Sequence, residues 1–243
     1  MIQGFSLLRF SEVTSTQDIA KDLLDNVELT KPVAIVADSQ THGRGRYTRS
    51  WLSPKGGLYC TLAFAPDVKV EKYSQISYVV GFSLSEAITQ IDTDLNPQLK
   101  WVNDVMIKNK KVAGILLELH EDYLIIGIGL NLQGDDKISD LAGTSLDEHS
   151  KKFELDLILN TFLSRFKYNY NLWYEKGFEP IRSLWLKIAY GIGKPITVTM
   201  RNKSDTGIFV GIDEDGLLQL LSDDSIKLIS AGEVFFGAPK TKN

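Results

Sequence analysis

The hydrophobic period of this chain changes once, at Gly191-Ile192-Gly193-Lys194-Pro195. Before that break, apolar residues recur at two different spacings. Ile76, Val79, Val80, Leu84, Ala87, Ile88 and Ile91 fall three and four apart, which predicts a helix over about 71–92. Leu155, Ile158, Leu159, Phe162, Phe166 and Trp173 predict another over about 154–176, and a shorter one follows over about 179–189. Ser15 followed by Asp18 fits a capping box ahead of Ile19, Ala20, Leu23 and Leu24, so a first helix starts there. Between the helices lie strand-like runs: PVAIVAD, GLYCTLAFAP, YLIIGIGLNL, and VMIKNKKVAGILLEL, a hairpin with Asn109-Lys110 at its tip. Beyond the break only short strands remain, PITVTM, TGIFVGI, GLLQLL and SIKLIS, separated by turn residues such as Asp215-Gly216. Helices mixed with hairpins predict an α+β domain over residues 1–190, and the tail over 191–243 predicts a small β-barrel.

Charge and residue usage narrow the function. A net charge of −4 argues against a broad nucleic-acid-binding face, which needs clustered positive charge. The single Cys60 excludes an intrachain disulfide and a cysteine metal site, and it sits in an apolar run as a small buried hydrophobe. His42, His120 and His149 are scattered without ligand spacing. The first residues, MIQGFSLLRFSEVTSTQ, lack the basic head and long apolar run of a secretory signal, and no run is long enough to span a membrane. A cytoplasmic protein without membrane attachment is expected.

The familiar phosphate-binding patterns fail. A dinucleotide fingerprint started at Gly43 ends on Thr48, and one started at Gly127 ends on Leu132. Gly193-Lys194 is followed by Pro195 and preceded by Ile188, so it is no P-loop. What survives is THGRGRYTRSW, Thr41 to Trp51. It gathers Arg44, Arg46 and Arg49 around Gly43 and Gly45, with no acidic residue from Ser39 to Pro66. Glycine lets backbone N–H groups converge on an anion, and arginine offers planar forks matched to phosphate or carboxylate oxygens. A solvated surface loop is the alternative reading. With no acid nearby in the sequence, the loop is expected to stay mobile until a ligand orders it.

Two further segments stand out. In LKWVNDVMIKNKKVAGILLE, Lys100, Lys108, Lys110 and Lys111 face one acid, Asp104, between residues 95 and 117. Lys108 and Lys110 read as solvated at the hairpin tip, while Lys111 precedes a buried strand that can aim its amine. Asn103-Asp104 at a strand end could hold a metal ion or a substrate group. Trp101 reads as core. GIGLNL has Gly127 and Gly129, which leave room on a strand, and Asn131, which can both donate and accept, as an adenine edge requires.

Taken together, these segments resemble the biotin protein ligases, also called biotin–acetyl-CoA-carboxylase ligases. The matches run in order over nearly the whole chain: Ser15-Thr16, Gln40, GRGR with Arg49 and Trp51, SPKGGLY, KWVND, KVAGILLE, GIGLN, and Ala142-Gly143-Thr144-Ser145-Leu146. The resemblance implies a catalytic domain like that of class II aminoacyl-tRNA synthetases, a mixed sheet backed by helices, then an SH3-like barrel. It implies activation of biotin by MgATP to biotinyl-5′-AMP and transfer to a lysine of a biotin carboxyl carrier protein domain. By family position, Arg46 and Arg49 hold phosphates and Lys111 neutralises charge at the carboxylate–phosphate junction. Ser15, Thr16, Gln40, Gly43 and Arg44 surround the ureido ring. Gly114 and Gly127 line the biotin slot, Asn131 meets the adenine, and Trp51 packs over the ligand.

Val102 stands where the family usually has proline, which removes a φ constraint but no functional group. Family matches begin at Ser15, leaving no room ahead of them for the helix-turn-helix domain that some members carry, so operator binding is not expected. Homodimers are common in the family, but no residue here is diagnostic. Two alternatives share the fold: a lipoate or octanoate ligase or transferase, and a non-catalytic binding protein. The first lacks the GRGR–Arg–Trp loop, and intact Arg46 and Lys111 argue against the second.

Overall fold

A computed structural model describes residues 1–135, 138, 143–200 and 203–236. Its first sheet is seven-stranded among the described residues and takes the order β1-β2-β3-β7-β6-β5-β4. The strands are β1 Ser6–Val13, β2 Val33–Gln40, β3 Leu58–Phe64, β4 Gln98–Lys100, β5 Asp104–Ile107, β6 Lys110–His120 and β7 Tyr123–Leu130. Only β1 and β2 run parallel; the other neighbours are antiparallel. The helices are α1 Thr16–Leu24, α2 Tyr73–Ile91, α3 Leu155–Lys176 and α4 Glu179–Lys187.

Strand alternation decides which residues meet which layer. Leu124, Ile126, Ile128 and Leu130 of β7 point with Leu58, Cys60, Leu62 and Phe64 of β3 into the main core. α2 and α3 cover that face through Ile76, Val80, Leu84, Ile88, Phe162, Phe166 and Trp173. Ile125, with Val33, Ile35 and Ala63, points the other way and is covered by Ala20 and Leu24 of α1. α1 is only nine residues long. Beyond its N-terminus the same face of β7 carries Gly127 and Gly129, which leave the sheet open.

The second sheet holds β8 Pro195–Thr199, β9 Ser204–Ile212, β10 Leu218–Ser222, β11 Ser225–Ile229 and β12 Glu233–Phe236, in the order β11-β10-β9-β8-β12. It is the small SH3-like C-terminal part. Ile196, Val198, Phe209, Leu218 and Leu220 belong to the same continuous core as the first sheet. Polar contacts fix the two parts together: Tyr78 Oη donates to Gly216 O, Trp101 Nε1 donates to Tyr78 Oη at 2.8 Å, and Arg182 Nε donates to Ile212 O at 2.8 Å. Trp101 is thus core, as its sequence context indicates, and Cys60 is fully buried.

Two local expectations need correction. The hairpin turns on Lys108 and Asn109, both at positive φ, with Ile107 paired to Lys110, so the tip lies one residue earlier than the sequence suggests. A two-residue turn with both central residues left-handed matches the strand twist, and Asn tolerates that region. The first helix is capped by Ser15 Oγ accepting from Gln17 N at 3.3 Å, but Asp18 does not reach back as a capping box requires; it faces Arg44 instead. Strands β1 and β12 had no sequence expectation. β1 is an edge strand exposed on both faces, so it shows no alternation, and β12 has four residues.

Candidate active site

A cavity of about 310 Å³ sits on the open face of the first sheet. Its floor is Gly114, Gly127 and Gly129. Gly114 and Gly129 are cross-strand partners, as are Gly127 and Leu116. These glycines make room for protein side chains as well as for ligand. A Cβ on Gly129 would collide with Trp51 Nε1, and one on Gly114 would lie 3.0 Å from Trp51 Cζ3. A Cβ on Gly127 would lie 2.6 Å from Gln17 Cδ. The indole therefore lies flat on the sheet. Its buried Nε1–H has no partner among the described residues.

The N-terminus of α1 forms one wall. Thr16 N and Oγ1 both donate to Gln40 Oε1, at 2.8 and 3.1 Å, and Gln40 Nε2 donates to Ser53 Oγ at 2.8 Å. Thr61 Oγ1 donates to Thr16 Oγ1 at 2.8 Å. Gln40 is thereby fixed, with one N–H left over. Gln17 Nε2 donates to Leu116 O at 3.4 Å and Glu118 Oε2 at 3.2 Å. Thr16, Gln17 and Gln40 line the cavity. Ser15 and Gly43 do not: Ser15 is spent on the helix cap, and Gly43 packs against Trp51 O and Ser53 Oγ, where a side chain would not fit.

The arginine loop forms the opposite wall, and the structure overturns the expectation that its charges lack internal partners. Arg44 pairs with Asp18 at 2.9 Å and Glu118 at 3.0 Å, and Arg49 pairs with Glu233 of the second sheet. Long-range partners were invisible in a window that holds no acid. Gly45 N donates to Arg49 O at 2.7 Å and Trp51 N to Gly43 O at 2.8 Å, so the loop is also closed by backbone bonds. Arg46 differs. It donates to Asn103 Oδ1 at 3.2 Å and Tyr47 Oη at 3.0 Å, both neutral, and no ion pair holds it among the described residues. Tyr47 and Thr48 at the loop tip have φ of 55° and 61°, a region unfavourable for a β-branched residue.

Lys111 completes the site. Its Nζ lies 2.6 Å from Asp104 Oδ1 and 5.1 Å from the Trp51 ring centroid. Its backbone O accepts from Thr144 N at 2.9 Å, tying β6 to the segment at Gly143. Asp104 is thus held by an amine, and among the described residues no cluster of three or more His, Cys, Asp or Glu could cage a metal. Lys100, opposite Asp104 in the ladder, has its ammonium pushed below the ordinary range, mainly by burial, with Asp104 pulling the other way. Asn131 is buried at the end of β7; its Nδ2 donates to Thr144 O at 3.0 Å, which leaves its Oδ1 and one N–H without a partner among the described residues. Ala142, part of the matched AGTSL run, lies outside the described residues.

The structure thus brings Thr16, Gln40, Arg44, Arg46, Arg49, Trp51, Asp104, Lys111, Gly114, Gly127 and Asn131 around one cavity, drawn from α1, four strands of the first sheet, the loop after β2 and the end of β7. Sequence reasoning missed Gln17 and Glu233. Gln17 sits inside a helix start that was read for its neighbours Ser15 and Thr16. Glu233 carried no local signal, because its place comes from β12 pairing with β8.

Comparison with known proteins agrees in both parts of the chain. Residues 9–131 match the biotin/lipoate A/B protein ligase family, and residues 191–237 match the biotin protein ligase C-terminal domain. The biotin–[acetyl-CoA-carboxylase] ligase of Paracoccus denitrificans is 32% identical over 84% of this chain and 90% of its own length. The bifunctional ligase/repressor BirA of Bacillus spizizenii is also 32% identical, over 97% of this chain and 75% of its own length. Among solved structures, the biotin protein ligase from Aquifex aeolicus in complex with biotin and ATP superposes with a TM-score of 0.85 at 35% identity, covering 96% of this chain and 99% of that one. On these matches the chain belongs to the biotin/lipoate A/B protein ligase family, among its biotin protein ligases.

Proposed function

We propose that this protein binds biotin and MgATP in the cavity above Gly114, Gly127 and Gly129, forms biotinyl-5′-AMP, and transfers the biotinyl group to a lysine of a biotin carboxyl carrier domain. The observation that carries this is the polarity of the cavity. At one end Arg44 is neutralised by Asp18 and Glu118; at the other Arg46 has only neutral partners among the described residues, and Lys111, paired with Asp104, also lines the cavity. A ligand with a neutral ring and a carboxylate tail fits one way round, ring against Thr16, Gln17 and Gln40, carboxylate toward Lys111.

In the first step a biotin carboxylate oxygen forms a bond to the α-phosphorus, and the bond to the bridging oxygen breaks, releasing pyrophosphate. Both reactants are anions, and charge accumulates on the phosphoryl oxygens. Fixed donors aimed there are worth about 3–4 kcal/mol each. Arg46, positioned by Asn103, is assigned to the phosphates; Lys111 bridges the carboxylate and α-phosphate; Arg49 joins once it leaves Glu233. Asn131 keeps an acceptor and a donor for the adenine edge. Mg2+ arrives with the triphosphate as part of the substrate. In the second step the neutral carrier amine attacks the acyl carbon, AMP leaves, and a proton passes to solvent.

Biotin-dependent exchange of pyrophosphate into ATP tests the first step. Exchange with biotin, lost by at least about 10-fold or 1.4 kcal/mol in Arg46→Ala, is expected. Exchange with lipoate or octanoate but not biotin would overturn the assignment of substrate. No exchange with any of these acids would favour a non-catalytic binding protein.

A further inference from the structure

Glu118 does not line the cavity, yet one of its oxygens gathers three donors from two separate elements. Oε2 accepts from Arg44 Nη2 at 3.0 Å, Lys21 Nζ at 3.1 Å and Gln17 Nε2 at 3.2 Å. Asp18 closes the cluster from the other side of Arg44 at 2.9 Å. Two cations meet two carboxylates there, so the cluster is neutral. Glu118 lies on β6, Lys21, Asp18 and Gln17 on α1, and Arg44 on the loop, so a single carboxylate joins all three walls.

The consequences fall on the two residues that do line the cavity. Gln17 spends its amide nitrogen on Leu116 O and Glu118, which fixes the amide's orientation and leaves Oε1 accepting nothing among the described residues. Arg44 spends both terminal nitrogens on Asp18 and Glu118, and its buried Nε–H is left without a partner among the described residues. Gln17 and Arg44 therefore give the inner end of the cavity one acceptor and one donor with no net charge. Such an end recognises a neutral amide-like ring and offers nothing extra to a phosphate or carboxylate. Without Glu118, the cluster of Arg44, Lys21 and Asp18 would carry one excess positive charge and Gln17 would lose a tether.

We infer that Glu118 is a positioning residue for biotin: it neutralises Arg44 and fixes Gln17, so that the inner end of the site accepts the uncharged ring and rejects anions. This rests on the placement of biotin proposed above. It predicts an effect on the ring end only, since Lys111 of the phosphate end lies seven residues away along the same strand β6.

The test uses the full chain with Glu118→Gln, which keeps shape and removes charge, and Glu118→Asp, which keeps charge. In pyrophosphate exchange, Glu118→Gln should raise the biotin KM at least about 10-fold and change the ATP KM less than about 2-fold, with the Asp variant recovering much of the loss. Sulfate should become a competitor of biotin in Glu118→Gln, while in the unaltered chain it competes with ATP alone. A biotin KM within about 2-fold of the unaltered chain overturns the inference. So does a parallel rise of both KM values with a lowered Tm, which would mean a general packing role. Biotin-dependent exchange by the unaltered chain reads the function, and the ratio of the two KM shifts reads this inference, so either can fail without the other.

Discussion

Lys111 Nζ rests 2.6 Å from Asp104 Oδ1 with the Trp51 ring on its other side, 5.1 Å from the ring centroid. A flexible amine is thereby held in one place beside the arginine loop by a carboxylate and an aromatic face. Lys111→Ala should lower biotin-dependent exchange about 100-fold, near 2.7 kcal/mol, while circular dichroism stays unchanged. Asp104→Asn keeps the amine and loses only its anchor, so a smaller loss of about 10-fold is expected. Equal losses in both variants would give Asp104 a direct role.

The arginine loop is anchored at both ends, by Arg44 to Asp18 and Glu118 and by Arg49 to Glu233. Hydrogen exchange should find Gly45 N and Trp51 N protected without ligand, since both donate to backbone oxygens. Glu233→Ala should speed exchange at Gly45, whose acceptor is Arg49 O. Rapid exchange at both amides in the unaltered chain would restore the picture of a free loop.

Gly129 holds no side chain because Trp51 lies on it. Gly129→Ala forces the indole off the sheet, and overpacking of this kind costs roughly 1–3 kcal/mol. The expected result is a shifted tryptophan emission, a lowered Tm and weakened binding of both biotin and ATP. An unchanged spectrum would place the indole elsewhere.

Asp92, at the end of α2, has its carboxyl held down at about 2, first by a hydrogen bond from Ser150 and then by Lys152. A carboxylate whose folded pKa lies below its unfolded value of about 3.9 adds stability above that pH and loses it as pH falls toward 2. Urea unfolding between pH 4 and 2 should show a downward slope that Asp92→Asn flattens. An identical slope in the variant would assign the acid sensitivity to other carboxylates.

Helices were legible because the periodic apolar stripes of α2 and α3 are long; their observed ends fall within about two residues of the expected ones. The turn at Lys108-Asn109 slipped by one because both Asn109-Lys110 and Lys108-Asn109 are polar pairs between apolar runs. Register, set by pairing across the sheet, chose between them. β1 escaped notice because its parallel partner β2 is supplied from 27 residues away, and its own sequence has no buried face.

The site shows the same division. The chain's sequence by itself determined which groups are available: three arginines without local acids, a lysine at a strand start, and glycines two apart on a buried strand. Only the tertiary structure decided which of those charges remain free. Asp18 and Glu118 take Arg44, Glu233 takes Arg49 from the other sheet, and Arg46 is left, among the described residues, to neutral partners. Charge compensation acts through space over a few ångströms, and residues 74 and 184 positions apart can lie that close only after the sheets have formed.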